Sequence, residues 1–245
     1  MDLNLYTRAG EFPEGSIKGT HVVVVDVLRS SSTIVQACEN RVERIIPVAS
    51  VEDATRLAPT LEKKKALLGG ERDGMMIEGF DLGNSPLEYT SKVVRGKTLI
   101  LSTANGTVAI TQSAAAKELV VGCFLNLGAV VTHLLSSRPK KVTLICAGNQ
   151  GALSLEDLVC GGLMVRKVEH SFRGKLNLND GAVAASALAG TMTDIGEVVR
   201  ESAHGRRLAD LGFETDLDFC SRIDKYRSVP VVVDGRISGK EACRE

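Results

Sequence analysis

The chain has 245 residues, 44% of them hydrophobic, with 30 Lys and Arg balanced by 30 Asp and Glu. That length suits one large α/β domain or two tightly packed lobes, with room for a sizeable core. A formal net charge of zero and the lack of any K/R-rich block exclude a general nucleic-acid binder, which carries a basic excess.

The opening MDLNLYTRAGEFPEG has neither the basic start nor the apolar stretch of a signal peptide. The longest apolar runs are strand-sized, well short of the ~20 residues of a membrane helix. A cytoplasmic protein with no membrane partner is therefore expected. Cys38, Cys123, Cys146, Cys160, Cys220 and Cys243 are scattered without a CxxC pair and read as small buried hydrophobes. His21, His133, His170 and His204 form no HExxH-like motif, so no structural metal is expected.

In chain order, Val22–Val27 is a β-branched run of the kind buried on both faces of a parallel sheet. A helix over Ser32–Glu39 follows. The next strand, Arg44–Val48, contains Pro47, which weakens it or places it near an edge. A helical pattern covers Val51–Lys64. Ala66–Leu68 reads as a strand, Leu87–Val94 as a helix, Thr98–Leu101 as a strand and Thr107–Lys117 as a helix. Then come strand Glu118–Val121, helix Leu127–Leu135, strand Val142–Cys146 and helix Leu155–Ser171. Alternation of this kind predicts an α/β fold with a mainly parallel sheet and flanking helices. Past Arg173 the chain turns helical and charged, with Gly181–Gly190, Asp194–Ala203 and Arg206–Leu211 as candidates. Strand Val229–Val233 and an Asp234-Gly235 turn predict a hairpin with Arg236–Ser238. The chain is taken as one unit over 1–245, with a lobe boundary near 122–126 as the plausible division. The segments 98–110 and 143–155 share strand, small-residue turn, Asn, Gly and helix, which generic architecture explains as well as duplication does.

Four polar, glycine-punctuated loops follow strands or open helices. A single site at the strand carboxyl ends would collect them. In the first, Asp26 ends a buried strand and serves as metal ligand, base, nucleophile or arginine partner. Arg29 offers a planar fork, and Ser30, Ser31 and Ser32 open a helix whose amides suit an anion. Helix capping by a serine and an Asp26–Arg29 pair is the plainer alternative. The second loop, 69–86, has five glycines and no clear period, and contributes Glu71, Arg72, Asp73, Asp81, Asn84 and Ser85. Its end, Ser85-Pro86-Leu87-Glu88, is a helix start, so Ser85 and Glu88 read as structural. The third, Thr103-Ala104-Asn105-Gly106-Thr107, allows close backbone approach to a ligand, or is a plain Asn-Gly turn. The fourth, 147–157, ends in Glu156 and Asp157. These read as metal-side carboxylates or as helix-start residues like Glu52 and Asp53, which follow Ser50 in the same S-x-x-[DE] pattern.

Taken together, VDVLRSSSTI (25–34), GGERDG…GFDLGNSPLEY (69–89), STANGTVAI (102–110) and CAGNQG…LEDLVCGG (146–162) resemble the 2-phosphosulfolactate phosphatase family of coenzyme M biosynthesis. The motifs run in family order over most of the chain. The resemblance implies a Mg²⁺-dependent hydrolase acting on a small phosphorylated acid, 2-phospho-3-sulfolactate, with an α/β architecture and a site in a cleft between loops. The positions it carries over are Asp26, Arg29 and the serines after it, Glu71-Arg72, Asp81, Asn84-Ser85, Thr103, Asn105-Gly106-Thr107 and Glu156-Asp157. The roles are our assignment, with Asp26, Arg29, Glu71 and Arg72 as catalytic. Substrate contacts would come from Ser30, Ser31, Ser32, Asn84, Thr103, Asn105, Gly106 and Thr107, and metal contacts from Asp26, Glu156 and Asp157. A homo-oligomer is compatible with the sequence. The DxDx[TV] phosphatases make a poorer match, because Leu28 stands where their second aspartate would be. A non-catalytic binder of phosphorylated or sulfonated metabolites would keep the arginine and amide loops but has little use for clustered carboxylates. A Rossmann reading lacks its GxGxxG.

Overall fold

The computed structural model describes residues 1–13, 15–62 and 65–241. Eleven strands form one sheet with helices packed on it. In chain order the elements that matter are β1 (Asp2–Tyr6), β2 (His21–Val25), α1 (Ser30–Glu39), β3 (Arg44–Val48), α2 (Val51–Leu57), β4 (Ala66–Arg72), β5 (Met75–Met76), α3 (Ser91–Val94), β6 (Thr98–Ser102) and α4 (Gly106–Gln112). They continue with β7 (Glu118–Gly122), α5 (Leu127–Ser136), β8 (Lys141–Cys146), α6 (Leu155–Ser171), β9 (Asn177–Leu178), α7 (Asp180–Thr191), α8 (Ile195–Glu201), α9 (Ala203–Asp210), α10 (Glu214–Cys220), β10 (Ser228–Val233) and β11 (Arg236–Glu241).

The spatial order is β5-β4-β6-β3-β11-β10-β7-β2-β8-β1-β9. Two parallel blocks, β4-β6-β3 and β7-β2-β8-β1-β9, flank the antiparallel hairpin β10–β11. The hairpin expected at Asp234-Gly235 is thus the seam of the sheet. It reverses strand direction between the blocks. Twist offsets this: at roughly 20–25° per strand pair, the five steps from β6 to β2 accumulate about 100–125°. The carboxyl ends of β4, β6 and β2 meet: the Ala104 amide after β6 donates to Glu71 of β4, and the Gly106 amide donates to Asp26 after β2.

β2 shows why the valine run matters. Val23 and Val25 enter one core with β1, β7, β8, α5 and α6, while Val22 and Val24 enter the opposite core with α1, α4 and β6. Each buried valine contributes about 1.5–3 kcal/mol. A strand so fixed on both faces holds its last residue still. Pro47 lies inside the sheet, but β3 meets β11 at one register pair, Ile45 with Ile237, and that ladder stops before the proline.

Several predicted helices are shorter. The helix expected over Val51–Lys64 is α-helical to Leu57, then 3₁₀ over Ala58–Thr60 around Pro59, while Lys63 and Lys64 lie outside the described residues. Leu87–Val94 divides into a 3₁₀ turn, Pro86–Glu88, and α3, because Glu88 and Tyr89 both bond back to Gly83. Thr107–Lys117 stops at Gln112, since the Lys117 amide donates to Thr20 and begins the β7 pairing. Strands β1, β5 and β9 and helix α10 were not expected. The segment 122–126, where a lobe boundary was placed, is the buried connection from β7 to α5. Cys38, Cys123, Cys146, Cys160 and Cys220 are free and buried, and Cys243 lies outside the described residues. Among the described residues, no single helix is long and apolar enough to cross a membrane.

Candidate active site

Asp26 follows β2 directly and is buried. Its carboxylate accepts the amides of Ser30 and Gly106, yet burial, then the charges of Glu71 and Glu156, hold it well above the usual carboxylate range. The loop behind it is closed tightly. Ser31 Oγ accepts the Asp26 amide at 2.9 Å, the Ser31 amide donates to the Asp26 carbonyl at 2.8 Å, and Ser32 Oγ donates to the Val27 carbonyl at 2.8 Å. The serines therefore build the turn that presents Asp26.

Two other carboxylates stitch the four loops together. Glu71 Oε1 accepts the Ala104 amide and Oε2 the Gly74 amide, both at 2.9 Å, joining the second loop to the third. Asp157 Oδ1 accepts the Val27 amide at 2.7 Å and Oδ2 the Gly148 amide at 3.3 Å, joining the first loop to the fourth. Asn105 Oδ1 accepts the Gln150 amide at 3.3 Å, closing the ring between third and fourth. Thr103 and Thr107 bond to each other behind Asp26, and Thr103 Oγ1 also reaches Ser30 Oγ at 3.4 Å.

A small cavity opens at the centre, lined by Asp26, Leu28, Arg29, Glu71, Gly74, Asn84, Asn105 and His204. Five sequence-derived residues thus share it: Asp26, Arg29, Glu71, Asn84 and Asn105. Arg29 is fully engaged on one side. Its guanidinium donates to Asp216 Oδ2 at 2.9 Å and to the Gly74 carbonyl at 2.6 Å, and stacks 4.2 Å over the Phe213 ring. Its ion pair is with Asp216, not Asp26. Arg72 does not line the cavity. It bonds the Glu71 carbonyl at 2.7 Å and Ser102 Oγ at 2.9 Å, bridging β4 and β6. Asp81 accepts the Leu68 amide at 2.8 Å, and Ser85 caps the 3₁₀ turn while donating to Asp216 Oδ1 at 2.6 Å.

Glu156 sits at the start of α6, buried, with burial raising its carboxyl and Ser154 and Ser202 hydroxyls partly offsetting that. Its Oε2 is buried without a partner among the described residues. Asp157 is likewise raised, by burial first and then by Asp26 and Glu156. Ser154 caps the helix through the Asp157 amide, just as Ser50 caps α2 through Asp53.

Sequence reasoning missed two residues here, His204 on α9 and Asp216 on α10. Neither carries a local motif. His204 is lowered to about 4 by burial, with Arg29 and Arg207 acting the same way against Glu71, so its imidazole is neutral at neutral pH.

Close approach governs Gly106. A Cβ there would stand 2.4 Å from Ser30 Oγ and 2.6 Å from Asp26 Oδ2. Gly106→Ala is expected to push Asp26 off its position, lowering kcat at least tenfold and stability by roughly 1–3 kcal/mol. Steady-state kinetics with a thermal melt check this, and a variant with wild-type turnover would show that the loop gives way freely.

A carboxylate at a rigid strand end, in a cavity ringed by amide-anchored loops, is the ligand site of an α/β enzyme, placed at the strand carboxyl ends. The model of the family described as "2-phosphosulpholactate phosphatase" matches residues 6–235. The chain is 38% identical over 237 residues to a protein of Clostridium acetobutylicum, covering 97% of this chain and 100% of that one. It is 41% identical over 222 residues to one of Thermotoga maritima, covering 89% and 92%, and 35% identical over 237 residues to one of Clostridium tetani, covering 97% and 100%. Each is named "Probable 2-phosphosulfolactate phosphatase". The chain belongs to the 2-phosphosulfolactate phosphatase family.

The residues fit the divalent cation that the resemblance implies. Among the described residues, no three His, Cys, Asp or Glu side chains form a ready-made metal cage. Mg²⁺ does not need one, since it takes one or two carboxylates and fills the remainder with water and substrate phosphate. Asp157 and Asp26 each accept two backbone amides, while Glu156 keeps an Oε2 without a partner among the described residues and lies near enough to raise the Asp26 carboxyl. Asp26 lines the cavity and Glu156 and Asp157 do not, so Asp26 with Glu156 is the pair that has acceptor capacity for such an ion.

Proposed function

We propose that this protein hydrolyses 2-phospho-3-sulfolactate to 3-sulfolactate and inorganic phosphate, dependent on Mg²⁺, as a step of coenzyme M biosynthesis. The observation that carries the reading is the convergence of Asp26, Glu71 and Asn105 from three separate loops on one cavity, in a chain matched to the family over 6–235. Asp26 and Glu156 would hold the cation, which supplies positive charge against the phosphoryl oxygens. Catalysis of phosphoryl transfer rests mainly on positioning and electrostatic stabilisation. Here the Glu71 and Asp157 clamps fix the loops, so that Asp26 and the third loop hold their spacing while substrate enters. Arg29 and Asn84 line the cavity and would be the donors for anionic oxygens.

Phosphate release from 2-phosphosulfolactate, 2-phosphoglycolate and phospholactate, with Mg²⁺ and after exhaustive chelation, tests this reading. The sulfonated substrate is expected to lead by roughly ten- to hundredfold in kcat/KM, since a smaller acid leaves buried donors unpaired. Activity is expected to vanish with EDTA and return with Mg²⁺. Full activity after chelation would remove the metal, and preference for a sulfur-free acid would overturn the substrate.

A further inference from the structure

We infer that His204 is a substrate-contacting residue: its imidazole N–H, in the cavity that Asp26 and Asn84 also line, donates a hydrogen bond to an oxygen of the bound phosphoryl group. This deepens the phosphatase reading and rests on it.

Three observations carry the inference. His204 lines the cavity together with Asp26, Glu71, Asn105 and Arg29, although it lies outside the four loops, 47 residues beyond Asp157 at the end of the fourth. It is presented rigidly. Ser202 caps α9 through the Gly205 amide at 2.9 Å, and a Cβ at Gly205 would stand 1.8 Å from the Val199 carbonyl, so α9 packs hard against the end of α8 directly beside His204. Finally, the neighbouring Asn84 side chain has an unpartnered atom. Asn84 is buried and its side-chain Oδ1 has no partner among the described residues, while its carbonyl is held by Thr33 Oγ1 at 2.7 Å. A side-chain amide assigned this way can equally present its NH₂ to the same space. With its NH₂ turned inward, the Asn84 amide and the His204 imidazole that lines the same cavity are groups an oxyanion ligand would satisfy.

The chemistry favours a neutral donor. Glu71 also faces His204, and Arg29 and Arg207 lie near enough to disfavour a second positive charge. A neutral imidazole can still offer one N–H to a phosphoryl oxygen, and it adds no charge that would hold the product phosphate after hydrolysis.

The test compares His204→Leu, which keeps bulk without an N–H, with His204→Asn, which keeps a donor. The readouts are the dissociation constant of inorganic phosphate by titration calorimetry, with Mg²⁺ present, and kcat/KM on the phosphorylated-acid panel. The Leu variant is expected to lose roughly ten- to hundredfold in phosphate affinity and in kcat/KM, while Asn recovers most of both. A packing role predicts the reverse ranking, with Leu at least as active as Asn, and that ranking or equal phosphate binding in all three proteins would overturn the inference. A wild-type protein that binds phosphate in a His204-dependent manner but hydrolyses none of the panel would instead overturn the phosphatase reading and leave this contact standing.

Discussion

Asp26→Asn is expected to lower kcat by roughly a thousandfold or more, about 4 kcal/mol in the barrier, while leaving the protein at least as stable as wild type in metal-free buffer. The first part follows from position. Asp26 is the carboxylate fixed by the two-faced burial of β2, and both of its proposed roles, metal ligand and nucleophile, need the negative oxygen. The second part follows from electrostatics. Burial and the charges of Glu71 and Glu156 hold the Asp26 carboxyl well above its usual range, so its ionised form opposes folding. An asparagine keeps an oxygen for the Ser30 and Gly106 amides without that charge. Loss of activity with gain of stability is the pattern of a group kept for function rather than for the fold. Kinetics and a chemical denaturation curve on the same preparation measure both. Retention of more than about a tenth of wild-type turnover, a barrier change under ~1.4 kcal/mol, would rule out both roles.

Much of this arrangement was legible in the sequence, and the reasons are local. A run such as Val22–Val25 leaves few choices but a doubly buried strand, and the residue after it must emerge at the strand end. Ser50 and Ser154 cap helices through the third residue on, as their S-x-x-[DE] patterns specify. Glycine-rich loops mark close approach: at Gly106 and Gly70 an added Cβ would meet Asp26 and the Ser102 carbonyl. What stayed hidden depends on distance along the chain. β1 pairs with β8 across well over a hundred residues, and nothing in DLNLY announces that partner. The place of the β10–β11 hairpin between the two parallel blocks is set by tertiary packing, since an Asp-Gly turn specifies a hairpin and not its neighbours. Glu71 and Asp157 looked like chemical groups because carboxylates in loops so often are. In three dimensions each gives both oxygens to backbone amides, a use that sequence cannot distinguish from ligation. Arg29 reads as free to grip an anion, because its partner lies 187 residues away in a segment with no motif of its own.

That partner carries the second large effect. Asp216→Ala is expected to destabilise the protein by about 3–5 kcal/mol, the usual cost of stranding one member of a buried ion pair. Asp216 and Arg29 side chains are each 1% exposed. Asp216 Oδ2 meets Arg29 at 2.9 Å and Oδ1 takes the Ser85 hydroxyl at 2.6 Å, so truncation orphans a guanidinium and a hydroxyl together. The stacking on Phe213 and the bond to the Gly74 carbonyl cannot neutralise that charge. Urea denaturation measures the loss, and a change below about 1 kcal/mol would mean that water reaches Arg29 once the carboxylate is gone. Removing both charges separates stability from activity. Arg29→Met with Asp216→Leu is expected to recover most of the lost stability, because apolar replacement of a whole buried pair is often neutral or favourable. It is not expected to recover turnover, because Arg29 faces the cavity beside Asp26 and its remaining N–H groups go with it. A double variant that is both stable and active would show Arg29 to be a strut for α10 and not a contact for the substrate.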